Sequence, residues 1–457
     1  MNNRAHGDTA TTGDTRDTRD TRDTRDTQRG PDTRQGPDTQ ARQLGSPTVL
    51  SRRRLLGGVG AFGAGAAVGG LAGFLGRSGP GSAAEPGAEA TVPFYGTHQA
   101  GIATAAQDRL AFGSLDVVDG ASRTDLRHLL REWTAAAARM TRGALVGEVG
   151  EPFAPPADTG EAVGSPVSRL TITVGYGPSL FDDRFGLAPR KPTALAPLPR
   201  LPNENLAAAN SGGDLCLQAC SDDPLVAFHA VRNLARLGMG VVSHRWMELG
   251  FGRTSATTAT ETTPRNLLGF KDGTRNIKAE QTGQMSGHVW VGAESEQPWL
   301  RGGSYLVARK IRIFVENWDR DYLQDQENTI GRVKISGAPL SGGTEFTPPD
   351  LAAHQGDGSY RIPADAHIRL ASSEHNGGTR ILRRGYSFTD GIDPQTGTLL
   401  GGLFFIAFMK HPGQFVTLQR ALATDALNEY TQHTGSAVFA CPPGIRPGQY
   451  WGENLLG

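Results

Sequence analysis

Hydrophobic and polar positions divide the chain into three stretches. Residues 14–27 read DTRDTRDTRDTRDT, a polar period of three with no apolar face at any spacing, which predicts a disordered segment. At 51–76, SRRRLLGGVGAFGAGAAVGGLAGFLG opens on three arginines and continues from Leu55 as an uncharged, weakly hydrophobic Gly/Ala-rich run. From about Val92 the pattern becomes that of a mixed globular protein. SRLTITVGYG (168–177) alternates with period two and predicts a strand, as does DLCLQACS (214–221). Asp222 or Asp223 then caps a helix whose Leu225, Phe228, Val231, Leu234 and Ala235 share a face and which Gly238 ends. VVSHRWMELGF (241–251) returns to strand.

Strand, strand, helix, strand is the order of a ferredoxin-like α+β unit. After the polar SATTATETTP linker the order recurs. Extended segments are expected at GHVWVG, GSYLVARKIRIFVENW, AHIRLASS, TRILRRGYSF and GGLFFIAFM, and a helix through FVTLQRALATDALNEY. The expected fold class is α+β: two ferredoxin-like domains with antiparallel sheets and peripheral helices. The expected divisions are a low-complexity extension (1–50), a signal and cleavage region (51–90), an N-terminal domain (91–255) and a C-terminal domain (256–457).

Composition narrows the function. Of 457 residues 37% are apolar, enough for a sizeable core, and 46 basic residues balance 46 acidic ones. That balance gives no electrostatic footprint for nucleic acid. Cys216 and Cys220 sit four apart on one strand, roughly 13 Å, against about 6 Å between bridged Cα atoms. With Cys441 they read as small buried apolar residues, and no Cys/His cluster has zinc spacing. Ser51, Arg52 and Arg53, then Leu55 and Leu56, open the apolar run, and small residues at Ser82/Ala84 and Ala88/Ala90 follow it. This combination predicts export by the twin-arginine translocase to an extracytoplasmic location, with an N-terminal membrane anchor as the alternative. The route carries folded proteins, often with a cofactor already inserted.

LLGFKDGTRN (267–276) leaves an apolar run for a glycine-flanked Asp272, which by itself is a surface turn. Together with PFYGTHQAGI (93–102), IPADAHIRLA (362–371) and ILRRGYSF (381–388), however, GFKDGT (269–274) resembles the dye-decolourising peroxidases. The likeness is to their twin-arginine-exported bacterial subgroup and covers the chain from about 93 onward. It implies one haem b in the C-terminal domain and hydrogen peroxide as oxidant. The implied electron donors are dyes, phenolics or metal ions.

Residue by residue, the resemblance makes His367 the axial ligand of the haem iron, Asp272 the distal acid/base and Arg383 its partner. Arg384 competes for that last role. Gly273, Thr274 and Arg275 would line the haem edge. A carboxylate can carry the peroxide proton in mildly acidic solution, where a distal histidine would be largely protonated. Arginine supplies fixed positive charge where the O–O bond gathers electrons. Glu429, in LNEY, is the candidate carboxylate for the second nitrogen of the axial imidazole. Tyr430 is one candidate relay to surface donors; Trp246, Trp290, Trp318 and Tyr386 are others. Three further functions remain open. One is a haem- or iron-handling protein with nearly the same site, and another is a non-catalytic binding domain. The third is a chlorite-decomposing relative, against which the distal Asp argues.

Overall fold

The computed structural model describes residues 91–150 and 152–457. The repeat and the arginine-led apolar run lie outside the described residues. In the first half, β1 (Arg109–Val117), α1 (Arg123–Met140), β2 (Thr171–Tyr176), β3 (Leu215–Ser221), α2 (Pro224–Leu237) and β4 (Val242–Arg253) follow in order. Their strands pair antiparallel in the spatial order β4-β1-β3-β2. Asp223 caps α2, its carboxylate accepting from the backbone of Leu225 and Val226, with Pro224 at the first turn. β1 and α1 are additions to the sequence reading. β1 is buried on both faces, which erases its period of two. The capping box of Ser122 and Asp125 ahead of Leu126, Leu129, Leu130 and Trp133 was a usable signal for α1.

The second half begins with α3 (Thr282–His288), β5 (Ser304–Ile313), α4 (Val315–Trp318), α5 (Leu323–Ile330) and α6 (His367–Leu370). It continues with β6 (Leu382–Arg383), β7 (Tyr386–Ile392), β8 (Leu399–Met409), α7 (Gly413–Ala421), β9 (Thr431–Cys441) and α8 (Glu453–Leu456). Its main strands take the order β9-β5-β8-β7, the order of the first half repeated. β2 pairs with β9 and β4 with β7, so both halves share one antiparallel sheet that the β5–β8 pairing closes into a barrel. Leu110, Phe112, Phe388, Phe404, Phe408 and Phe439 fill its interior together with all three cysteines, which are free and buried.

Four expectations change. GHVWVG is the end of α3 and a turn, and AHIRLASS is a helical turn closed by the Ala371 N–H on the His367 carbonyl. Single turns are too short to display a period. The helix through 415–430 stops at Ala421 and gives way to two 3-10 turns, the second capped by Asp425. The polar linker is a packed strap: Thr254, Ser255, Ala256 and Thr257 are buried, and the Glu261 carboxylate accepts from the backbone of Ala106, Thr257 and Thr258.

Candidate functional site

A cavity of about 290 Å³ opens between the outer face of the second half's sheet and the segments that cross it. Ile311, Ile313, Leu403 and Phe405 form its sheet wall; α6, α7 and the loop 266–276 supply the remainder. Outward-facing apolar residues of a sheet normally bury against a helix. Here they face open volume.

The loop brings Asp272 to this wall. Its backbone N–H donates to the Pro264 carbonyl. The next residue, Gly273, has φ +85°, and a Cβ there would lie 2.9 Å from Ser255 Cα on the buried strap. Only glycine suits both the left-handed backbone and that approach. Asp272 Oδ1 accepts from Arg383 Nη1 at 2.6 Å, and Oδ2 from Asn266 Nδ2 at 3.3 Å. Asn276 grips the arginine's backbone from both sides: its Oδ1 accepts from the Arg383 N–H at 2.8 Å and its Nδ2 donates to the Arg383 carbonyl at 2.9 Å. The sequence reading missed Asn276, and nothing in a lone asparagine announces such a clamp.

Strand alternation decides between the two arginines. Arg383 lines the cavity, whereas Arg384 is fully buried and donates to the Thr104 carbonyl and Gln107 Oε1.

Across the cavity, the His367 Nδ1–H donates to Asp425 Oδ2 at 2.6 Å, since a carboxylate can only accept. Asp425 is buried, and its Oδ1 accepts from the Leu427 N–H at 2.9 Å. Burial opposes a charged imidazole, but the charge and hydrogen bond of Asp425 outweigh it, so the His367 pKa is raised. Glu429 does not take this role. It is exposed and lies outside the cavity lining, because the break after α7 turns Asp425 rather than Glu429 toward α6.

Gly273, Thr274 and Arg275 all line the cavity. Thr274 Oγ1 donates to Glu345 at 3.2 Å, and Arg275 pairs with Glu374, whose pKa that hydrogen bond lowers to about 2. Arg332 and Arg380 line it as well. Burial comes first in lowering both pKa values, and the charge of Arg275 comes next. Arginines that repel one another beside an apolar cavity suit a ligand with carboxylates.

These features fit a haem. His367 Nδ1 is engaged, leaving Nε2 for an iron, and the wall is apolar. Among the described residues no group of three or more His, Cys, Asp or Glu is placed to hold a bare metal ion.

Comparison with known proteins agrees with this geometry. The family model "Dyp-type peroxidase, N-terminal" matches residues 99–252, and "Dyp-type peroxidase, C-terminal" matches 263–446. The chain is 38% identical over 415 residues to a deferrochelatase of Escherichia coli O157:H7, covering 89% of this chain and 97% of that protein. It resembles an oxyferrous complex of DtpA from Streptomyces lividans with TM-score 0.74 and 38% identity, covering 81% of this chain and 98% of that one. A DyP-type peroxidase from Cellulomonas bogoriensis gives TM-score 0.71 and 35% identity, covering 80% and 98%.

Proposed function

The chain belongs to the Dyp-type peroxidase family of haem-dependent enzymes, and from that premise we propose that it reduces hydrogen peroxide at one haem b held by His367. The observation that carries this reading is the pair of couples lining one apolar cavity, His367 with Asp425 and Asp272 with Arg383.

When bound, haem supplies the iron at which peroxide takes up two electrons. The protein moves the protons. Asp272 takes one from the inner peroxide oxygen and returns it to the outer, departing oxygen. Arg383 holds that carboxylate in place through its Nη1–H, and its fixed charge offsets the negative charge gathering on the departing oxygen. Asp425 holds the Nδ1 proton of His367, so that Nε2 is the free ligand atom and the imidazole is the more basic for it. The outer oxygen leaves as the first water, and two further protons with two electrons from the donor complete the second.

Donors too large for the cavity give up electrons at or near the surface. Tyr430 is our relay: Trp318 meets its ring edge-on at 4.9 Å, and Phe270, 5.9 Å from Trp318, lines the cavity. Its hydroxyl donates to Asp321, a base for the proton an oxidised tyrosine must lose. Trp246 and Trp290 pack on the barrel interior instead. Unchanged dye turnover in Tyr430→Phe removes the relay.

We further read the protein as exported by the twin-arginine translocase, on the strength of residues 51–90. We also read it as two ferredoxin-like domains meeting near residue 255. The matching strand orders of the two halves support that division.

The deferrochelatase relatives favour a second reading, release of iron from haem or handling of ferrous iron. Two measurements decide. A visible spectrum of the haem-loaded protein before and after peroxide tests the first reading, which a missing Soret band would sink. Ferrous chelation assays on intact haem, with peroxide turnover in parallel, separate the two.

A further inference from the structure

The sheet wall of the cavity carries a polar side chain at each edge. Arg383 stands on β6 opposite Ala407 of β8, and His433 on β9 opposite Ile311 of β5, which pairs in turn with Leu403, four residues along β8 from Ala407. Three strand spacings of about 4.8 Å separate the edges by roughly 14 Å. His433 is 5% exposed and lines the cavity. Its Nδ1 lies 3.2 Å from Nε of Arg309, which is fully buried and also donates to Glu204 Oε1 at 2.7 Å and Ser436 Oγ at 2.8 Å.

A guanidinium can only donate, so Nδ1 of His433 accepts and the ring proton is on Nε2. Burial first, and then the charge of Arg309, lower the imidazole's pKa to about 3, so the ring is neutral at ordinary pH. Nε2 has no partner among the described residues. Gln419, buried on α7 one turn beyond Phe415, lines the same cavity, and its amide also has no partner among the described residues. The rings of Phe405 and Phe415, 5.9 Å apart, line it too, and Arg309 lies 5.8 Å from the Phe415 ring.

Two neutral polar groups on buried side chains, open to the cavity beside aromatic rings and without a partner among the described residues, suit a small uncharged ligand. The carboxylates of a porphyrin leave from one edge of the ring. The arginines gather beside Asn276 and Arg383, at the other side of this wall: Arg380 donates to the Arg275 carbonyl. We propose that His433 and Gln419 form a subsite for the hydroxyl of a small phenolic electron donor. The Nε2–H of His433 donates to the phenolic oxygen, and Gln419 Oε1 accepts a hydrogen bond from the phenolic O–H. Arg309 and Glu204 set the tautomer. The proposal deepens the peroxidase reading by giving one donor class a place inside the cavity, distinct from the surface relay.

Phenol itself is the probe, titrated into haem-loaded protein without peroxide and followed by the Soret difference spectrum. His433→Asn keeps an acceptor near the Nδ1 position for Arg309 and, being shorter, withdraws the N–H donor from the Nε2 position. It should weaken phenol binding roughly three- to tenfold, the worth of one hydrogen bond. His433→Gln restores a donor and should recover most of that loss. Haem uptake should be equal in all three proteins.

Equal phenol affinity in wild type and Asn variant overturns the proposal. So does a loss of haem uptake in the Asn variant that vanishes with haem dimethyl ester, which would assign His433 to a porphyrin carboxylate. A wild type without a Soret band fails the peroxidase reading instead, and phenol titration of the haem-free proteins then decides the subsite. Should the Asn variant not fold, the ¹⁵N–¹H spectrum of haem-free wild type decides. Phenol must shift the His433 Nε2–H resonance, and no shift ends the idea.

Discussion

The two halves of the barrel share one strand order and use their outer sheet faces in opposite ways. In the first half, α1 and α2 lie flush on the sheet, and Ala111, Leu115 and Leu217 share a core with Leu126, Leu130, Trp133 and Leu234. The fit is close. A Cβ on Gly113 would come within 3.0 Å of Val231 Cγ1, and Trp133 Nε1 donates to the Leu234 carbonyl at 2.6 Å, tying the two helices together. In the second half the same face carries Ile311, Leu403 and Phe405, but α4 and α6 are single turns and α7 has only nine residues. Among the described residues no long helix lies against that face, and the cavity is what remains. One topology therefore gives a sealed core or a ligand site according to the length of its covering helices.

The comparison breaks most sharply at the open half. His367→Ala should abolish haem uptake, read as loss of the Soret band, while the haem-free melting temperature stays near that of wild type. Retained haem would move the ligand elsewhere. Asp272→Asn should keep haem and slow the reaction with peroxide by about 10²- to 10⁴-fold in stopped flow, the usual worth of a positioned proton carrier. An unchanged rate would take the proton role away from it.

In the sealed half, Trp133→Ala should cost about 3–5 kcal/mol in denaturant unfolding, as large-to-small core changes do, with haem per folded chain unaltered. Asp425→Asn should weaken haem affinity roughly 10- to 100-fold, the range for partners of metal-bound histidines, whereas Glu429→Gln should leave it unchanged.

The smallest effect is at the contact between the halves. Lys310 on β5 bonds Glu248 on β4 at 2.7 Å and Asp390 on β7 at 2.6 Å. Burial, opposed by Lys310, raises the Glu248 pKa to about 7. A carboxyl raised on folding favours the folded state while protonated, and that contribution is lost as pH climbs through about 7. Wild type should therefore lose more melting temperature between pH 5.5 and 8 than Glu248→Gln. Parallel curves would remove Glu248 as the cause.

Much of the molecule was legible where the pattern is local. The strands 171–176 and 215–221, the Asp223-capped helix and its Gly238 end follow from alternation, capping and one amphipathic face. The loop holding Asp272 and Gly273 was marked by its own composition, and the joint occurrence of its motif with those around His367 and Arg383 singled out the three side chains that the cavity gathers. What failed had no local signal. α6 is one turn, the helix after 413 breaks without a proline or glycine, and a doubly buried β1 shows no alternation.

By itself, then, the sequence determined the strands and helices that show alternation, capping or an amphipathic face, and which side chains have reactive chemistry. Propensity, capping and alternation act within a few neighbouring residues, and one chain contains them all. The tertiary structure decided the partners: Asp425 rather than Glu429 on His367, 58 residues away, and Arg383 rather than Arg384 on Asp272, 111 residues away. Those contacts depend on the closed sheet and on the strap packed under Gly273. Hydrogen-bond reach is about 3 Å, and a position four residues along a chain is moved farther than that by a single change from helix to turn.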